Sequence, residues 1–182
     1  MGEINIINNK KIREIQAILE AQWGTSLIGD SAQHDTKHNS SPYAFFLNSK
    51  SKIYLINNAN NELANIHFEK LRINSLGLYF GQLNNTEIRL SIEGSQLLGR
   101  TATKNVFELN KGLKELWVRG QDIPLTKEKI KDLGYNETDK IMFIMKYHEP
   151  LTKHDDFIGC GKLVDNTIIN YVSKERRIRS VD

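Results

Sequence analysis

The densest group of cations lies near the C-terminus, in the run "NYVSKERRIR" at 170–179. Four cations fall within six residues and are opposed only by Glu175; they are Lys174, Arg176, Arg177 and Arg179. Clustered lysine and arginine bind phosphates through charge and counterion release, whatever the base sequence. Arginine also offers a planar surface for stacking on an unpaired base. The cluster alone leaves two interpretations open: a solvated basic tail, which is what most charged runs are, and a polyanion-binding edge.

Two further residues are predicted to join this surface because of the element that precedes it. The run "DFIGCGKLVDNTIINYVSKERR" predicts a β hairpin that turns at Asp165-Asn166. Lys162 lies on the first strand of this hairpin, and Tyr171 adds an aromatic ring on the second. A last strand over 167–173 places the cations where the chain leaves the sheet at one rim.

The glycines around Cys160 do not predict a phosphate loop or a reactive thiol. The run "IGCGK" matches neither the dinucleotide-binding nor the P-loop glycine pattern. No neighbouring residue in the sequence activates the cysteine, and cysteine commonly packs as a small hydrophobe. A buried strand residue beside a β bulge is the interpretation that we favour.

The histidines are the remaining candidates for metal binding or catalysis. His34 and His38 have the spacing that places two imidazoles on one helical face, but the sequence around them is not helical. His148 and His154 flank the loop-like run "EPLTK". We predict no metal site and no catalytic site. A hydrolase or transferase that uses His148, His154 and either Asp155 or Asp156 is the alternative.

Composition sets wide limits on function. The 182 residues suffice for one large or two small domains, and the net charge of +3 permits an anionic partner without requiring one. Cys160 is the single cysteine, which excludes an intrachain disulfide framework. The longest apolar runs have five residues, as in "YAFFL" and "IMFIM", and the N-terminus has no apolar segment typical of a signal peptide. These features predict a cytoplasmic protein with no membrane partner.

Periodicity predicts the elements of the first half. Apolar residues at three-to-four-residue spacing indicate a helix over 9–24 that ends at Gly24, and the polar run 25–41 indicates a long loop. A hairpin is predicted at 43–56 and a short helix at 57–71. A second strand pair turns at Asn84-Asn85 and is followed by the short helix "EGSQLLG".

The second half is predicted to be mostly β. An extended run "TKNVFEL" precedes a helix over 110–120, whose apolar face contains Leu113, Leu116 and Trp117. The run "QDIPL" predicts an edge strand, 126–139 a surface excursion, and "KIMFIMKYH" a buried strand. We therefore predict an α+β fold, with one domain at 1–99 and a second at 100–182.

Two segments resemble known families. The run "SLGLYFGQLNNTEIRLSIEGSQLL" resembles the end of the first domain in the Nip family of ribosome-biogenesis proteins and their archaeal relatives. The matching residues are Ser75, Leu76, Gly77, Phe80, Gly81, Arg89 and Leu90. The second half resembles a PUA domain: "ELWVRGQDIP" is similar to its helix-to-strand passage, including Arg119-Gly120. The segment from 157 to 179 is similar to the PUA-like tail of Sun-family RNA cytosine-5 methyltransferases.

The resemblance implies a non-catalytic RNA-binding protein without a cofactor, in which a small N-terminal α/β domain precedes a PUA-like β pseudobarrel. Its expected partners are rRNA or a tRNA-like RNA and proteins of ribosome assembly or RNA modification. The RNA contacts implied by the family fall on matching cations, which are Arg119, Lys162, Lys174, Arg176, Arg177 and Arg179. The methyltransferase catalytic domain has no counterpart in this sequence, so methyl transfer is not expected. A protein adaptor whose basic segment pairs with an acidic partner remains the alternative.

Overall fold

The computed structural model describes residues 4–27, 43–57 and 77–178, without the side chains of residues 4–6. Several predictions concern residues outside these ranges, namely most of the loop at 25–41 and the helix at 57–71 except for Asn57. The same applies to His34, His38, Ser75, Leu76 and Arg179. The described residues form two five-stranded sheets and four α-helices. The predicted α+β class is confirmed.

The first sheet is antiparallel, and its strand order follows the chain. Its strands are β1 Ile4–Ile6, β2 Tyr43–Asn48, β3 Lys52–Asn57, β4 Leu78–Asn84 and β5 Glu87–Leu90. Both predicted hairpins are present, because β2 pairs with β3 and β4 pairs with β5. Asn85 has φ +52°, the left-handed conformation that asparagine tolerates in a tight turn.

The second sheet has the order β6-β8-β9-β10-β7. Its strands are β6 Val106–Leu109, β7 Ile123–Pro124, β8 Met142–Glu149, β9 His154–Val164 and β10 Thr167–Asn170. Only β6 and β8 run parallel. Pro124 lies in the edge strand β7, as predicted from the missing amide donor of proline. A curled sheet of this kind is compatible with a pseudobarrel.

Four helices pack on these sheets; they are α1 Asn9–Trp23, α2 Ile92–Gly99, α3 Lys111–Val118 and α4 Lys127–Asp132. The α1 prediction is confirmed, including its end at left-handed Gly24. In α3, Trp117 is buried, whereas Leu116 is 38% exposed, so the predicted apolar face is only partly covered. The polar run 126–139 was predicted to be a surface excursion, but it contains the helix α4. This helix is stabilised by its N-cap Thr126 and by the buried side chain of Ile130.

The β9–β10 hairpin turns where predicted, at Asp165 and Asn166, which have φ +47° and +60°. The strand that follows is shorter than predicted, since β10 ends at Asn170 instead of continuing to 173. The buried Asn170 side chain ends the strand: its amide group donates to Trp117 O, and its oxygen accepts from Val172 N. The chain then turns into a 3₁₀ helix at Lys174–Arg176.

One hydrophobic core connects the two halves of the chain. It contains Trp23 and Leu98 from the first half together with Ile144 and Phe157 from the second. A second core lies within the C-terminal half, around Trp117. Along the chain the two sheets divide between Leu90 and Val106, the interval that contains the predicted domain boundary. The boundary at 99/100 itself stays a prediction, because packing continues across it.

Candidate nucleic-acid interface

The predicted basic segment does not extend away from the sheet; it folds back onto α3. Ile178 N donates to Val118 O at the end of α3, and Arg177 Nε donates to Val172 O. Val172 is buried, whereas the residues at 173–176 are exposed. The described part of the segment is therefore anchored to the fold at Arg177 and Ile178.

Arg177 brings the segment next to the predicted Arg119-Gly120 pair. Gly120 has φ +83°, and a Cβ atom built there would lie 2.2 Å from Arg177 Nε. The backbone conformation favours glycine here, and the Arg177 side chain lies directly over it. Arg119, exposed at the end of α3, and exposed Lys174 have no carboxylate partner among the described residues. These three cations come from segments more than fifty positions apart, and the fold brings Arg177 against the Arg119-Gly120 turn.

Two of the predicted cations are held by carboxylates. Lys162 Nζ lies 2.8 and 2.6 Å from the two carboxylate oxygens of Glu87 and is only 17% exposed. Arg176 forms an ion pair with Glu93 in the first turn of α2. Lys162 therefore links β9 to β5, and it lines neither of the cavities described below. The prediction that it contacts RNA stays a prediction.

A cavity of about 780 Å³, here called the inter-sheet cleft, lies between the two halves. It extends from the start of β3 across β4 and β5 to the bulge of β9 and the segment after β10. Its charged and aromatic lining residues are Lys52, Tyr79, Arg89, Glu93, Tyr171, Glu175 and Arg176. The cleft thus joins the predicted Tyr171 and Arg176 to cations of the N-terminal half.

Cations lie against both aromatic rings of the inter-sheet cleft. The Arg89 guanidinium is 4.9 Å from the Tyr171 ring centroid, and its Nη2 donates to Gln82 Oε1 at 2.9 Å. Lys52 Nζ is 5.2 Å from the Tyr79 ring centroid. Burial raises the pKa of the Tyr79 hydroxyl above its usual value, so this ring stays neutral at physiological pH.

Sequence reasoning did not assign Lys52, Tyr79 or Arg89 to this site. Arg89 and Leu90 entered only as part of a family resemblance. The pairing of Arg89 with Tyr171 joins positions that are far apart in the chain, so no local spacing could have indicated it. The one available signal was strand alternation, which places Arg89 on the face of β5 opposite to buried Ile88 and Leu90.

A second cavity of about 620 Å³, here called the α3 groove, is lined by residues of α3 and by Ile178 at the end of the described chain. Its lining includes Lys111, Lys114, Arg119, Tyr147, Leu151 and Ile178. Lys114 Nζ lies 4.0 Å from the Tyr147 ring centroid and 3.8 Å from a Glu149 oxygen. Leu151 is 92% exposed and Ile178 is 61% exposed. The groove therefore combines a basic helix with uncovered apolar surface.

The interpretation of Cys160 is confirmed. The thiol is buried and donates to Leu90 O, and desolvation raises its pKa to about 12. A thiolate, the reactive form, is thereby suppressed. The predicted bulge is also present, because Ile158 and Gly159 of β9 together oppose the single residue Met145. Gly159 has φ +109°, a conformation that favours glycine.

His148 and His154 form two exposed histidine–carboxylate pairs on neighbouring strands. His148 Nδ1 lies 2.8 Å from Asp155, and His154 Nδ1 lies 3.2 Å from Asp156. The hydrogen bond from His148, more than any other contact, lowers the pKa of Asp155. Both pairs lie outside the two cavities. The part of the chain that the structure describes holds no group of three or more metal-ligating side chains.

Comparisons of the whole chain with protein-family models and with curated proteins found no match. Within 4–27, 43–57 and 77–178, no helix is both long and apolar enough to cross a membrane. The side chains of the two cavities, and of the basic segment between them, are therefore the basis for inferring function.

Proposed function

We propose that this protein binds RNA without catalysing a reaction and acts in rRNA maturation or ribosome biogenesis. The C-terminal half, which resembles a PUA domain, supplies the main contact. The observation that carries the proposal is the placement of Arg177 on Gly120, which brings the basic segment to the exposed Arg119. Exposed cations from two segments, Arg119 and Lys174, then belong to one edge of the fold.

The geometry favours phosphate binding over a solvated tail for an entropic reason. Long cationic side chains on a disordered tail lose conformational freedom when they bind. Here the backbone amide of Ile178 donates to Val118 O of α3, and the Arg177 side chain donates to Val172 O. Lys174 and Arg119 are exposed and have no carboxylate partner among the described residues, so phosphates meet no internal competitor there.

The test is anisotropy binding of a labelled single-stranded RNA decamer across a salt series. The double variant Arg119→Gln/Lys174→Gln removes two exposed charges without removing a described ion pair. Single-stranded RNA gives a log-log salt slope of about −0.7 per neutralised phosphate, so the slope should flatten by about 1.4. The matched control is Lys10→Gln/Arg13→Gln, which removes two exposed cations from α1.

The control variant should keep the native slope. Equal slopes for the native protein and both variants would place the RNA contact elsewhere on the molecule. Absence of RNA binding by the native protein at low salt would overturn the proposed function itself.

A protein adaptor is the second candidate function, and the α3 groove favours it. Leu151 and Ile178 are apolar and largely exposed, while Lys111 and Arg119 are cations beside them. Uncovered apolar side chains rimmed by charge are typical of protein-binding surfaces. Co-purification of one acidic protein, lost in Leu151→Ser and accompanied by no RNA, would favour the adaptor.

A further inference from the structure

We propose that the inter-sheet cleft binds an unpaired nucleotide of single-stranded RNA, with Arg89 stacked on its base. This inference rests on the proposed RNA-binding function and extends the RNA site to the N-terminal half. Lys52, Tyr79 and Arg89 all belong to the first sheet, whereas Tyr171 and Arg176 belong to the second half. The bound nucleotide would therefore contact both halves of the protein.

The size and walls of the cleft suit a nucleotide. Its volume of about 780 Å³ lies within the range of roughly 300–1,000 Å³ found for small-molecule sites. Strands β4 and β5 contribute Tyr79 and Arg89 to its lining, and the second half contributes Tyr171 and the β9 bulge at Gly159. Polar and aromatic groups from both halves therefore line one cavity.

Arg89 provides an oriented planar surface. Its guanidinium carbon lies over the Tyr171 ring, 4.9 Å from the centroid, and Gln82 accepts a hydrogen bond from Nη2. The two contacts restrict the Arg89 side chain, so we expect little side-chain entropy to be lost when a base stacks on the guanidinium. Arginine planes and aromatic rings are the groups on which proteins stack unpaired RNA bases.

The charges of the cleft favour a phosphate next to that base. Three cations and two carboxylates line it, and one of each is taken up by the Arg176–Glu93 ion pair. Lys52 and Arg89 have no ion-pair partner among the described residues. A phosphate beside the stacked base would therefore meet two unpaired cations, Lys52 and Arg89, against the one remaining carboxylate, Glu175.

An unpaired nucleotide within a strand fits better than a duplex or a free nucleotide. The base of a duplex is stacked between its neighbours and cannot reach Arg89 inside a concave cleft. A free mononucleotide could enter, but it has no flanking phosphate for Lys174. That lysine is exposed directly before Glu175 and Arg176, which line the cleft. The strand would thus continue from the cleft onto the basic segment.

The variant Arg89→Lys tests the stacking because it keeps the charge and removes the plane. We expect it to bind a labelled decaadenylate on the order of tenfold more weakly than the native protein, the size of one lost base stack. The salt slope should be unchanged, as should the affinity for a decamer of the same charge without bases. Arg13→Lys, on the exposed surface of α1, is the matched control and should bind as the native protein does.

Thermal unfolding will show whether Arg89→Lys is folded. If it is not, a second variant, Lys52→Gln, still tests the cleft. It should flatten the salt slope by about 0.7. The cleft proposal would be overturned if Arg89→Lys bound decaadenylate as tightly as the native protein and Lys52→Gln showed the native salt slope. The proposed RNA-binding function would be unaffected by that result. Failure of the native protein to bind any RNA would overturn both proposals.

Competition identifies the source of the nucleotide. Adenosine monophosphate should displace labelled decaadenylate only at concentrations far above those at which unlabelled decaadenylate does so. A blunt RNA duplex should bind Arg89→Lys and the native protein with the same affinity. Displacement by the mononucleotide at similar concentrations would show a free-nucleotide site and overturn the assignment to RNA.

Discussion

At the scale of single residues, the fold gives some of the predicted RNA-binding cations a carboxylate partner and leaves others without one among the described residues. Lys162 and Arg176 are each paired with a glutamate, whereas Lys174 and Arg119 are exposed and have no carboxylate partner among the described residues. Exposed ion pairs contribute little to stability, because solvent screens them and side-chain entropy opposes them. Arg176 can therefore exchange Glu93 for a phosphate at small cost, while the largely buried Lys162 is more firmly held.

Cys160 carries a prediction at this scale. Its burial predicts that a thiol reagent at pH 8 reacts with the native protein roughly a thousandfold or more slowly than with denatured protein, since only transiently open molecules react. The measurement is the rate of alkylation with and without denaturant. Comparable rates in the two states would show that the strand opens readily at this position.

The same thiol predicts a loss of stability at high pH. Its folded-state pKa is about 12, above the usual thiol value near 9. Between these values the unfolded chain releases the proton while the folded chain retains it, so stability falls as pH rises. The difference in unfolding free energy between the native protein and Cys160→Ala should therefore shrink above pH 9. A difference independent of pH would contradict the burial.

At the scale of elements, one serine connects α2 to the wall of the inter-sheet cleft. Ser91 Oγ accepts from Gly94 N as the N-cap of α2 and donates to Tyr79 O in β4. Because Tyr79 lines the cleft, the start of α2 and the cleft wall are set by the same hydroxyl.

Replacing Ser91 with alanine should therefore destabilise the protein by about 1 kcal/mol, the usual loss for an N-cap. The matched variant Ser91→Thr keeps the hydroxyl and should lose much less. Denaturant unfolding with an unchanged m-value would measure both. Equal stability of Ser91→Ala and native protein would show that another group caps the helix.

At the scale of the whole molecule, shared packing predicts that the two halves unfold together. The larger core combines Leu98 and Trp23 with Ile144 and Phe157. The last turn of α2 also packs closely on β9: a Cβ atom built at Gly99 would lie 2.3 Å from the Phe157 ring. Separating the halves would expose this apolar surface to water.

The two tryptophans allow this to be measured, because Trp23 lies in α1 and Trp117 in α3, and both are fully buried. Trp23→Phe leaves fluorescence to report on the second half, and Trp117→Phe leaves it to report on the first. In each variant, the fluorescence midpoint of thermal unfolding should coincide with the circular-dichroism midpoint. Separate midpoints within one variant would show that the halves unfold independently.

Local patterns in the sequence determined most elements in the described ranges. The apolar periodicity of α1, its end at Gly24, and the hairpin turns at Asn84-Asn85 and Asp165-Asn166 were all readable, because each depends on residues a few positions apart. The same locality explains two errors. The strand after Thr167 ends early because Asn170 bonds to distant Trp117, and α4 depends on the burial of Ile130 in a polar run.

Only the tertiary structure decided which residues form the candidate sites. It pairs Arg89 with Tyr171 and Arg176 with Glu93, and it joins Lys162 to Glu87 rather than leaving it on the basic surface. These partners are 75 or more positions apart, so their contact depends on how the two sheets pack. Sequence could indicate that a cation is present, but the direction and partner of each cation followed from the shared core.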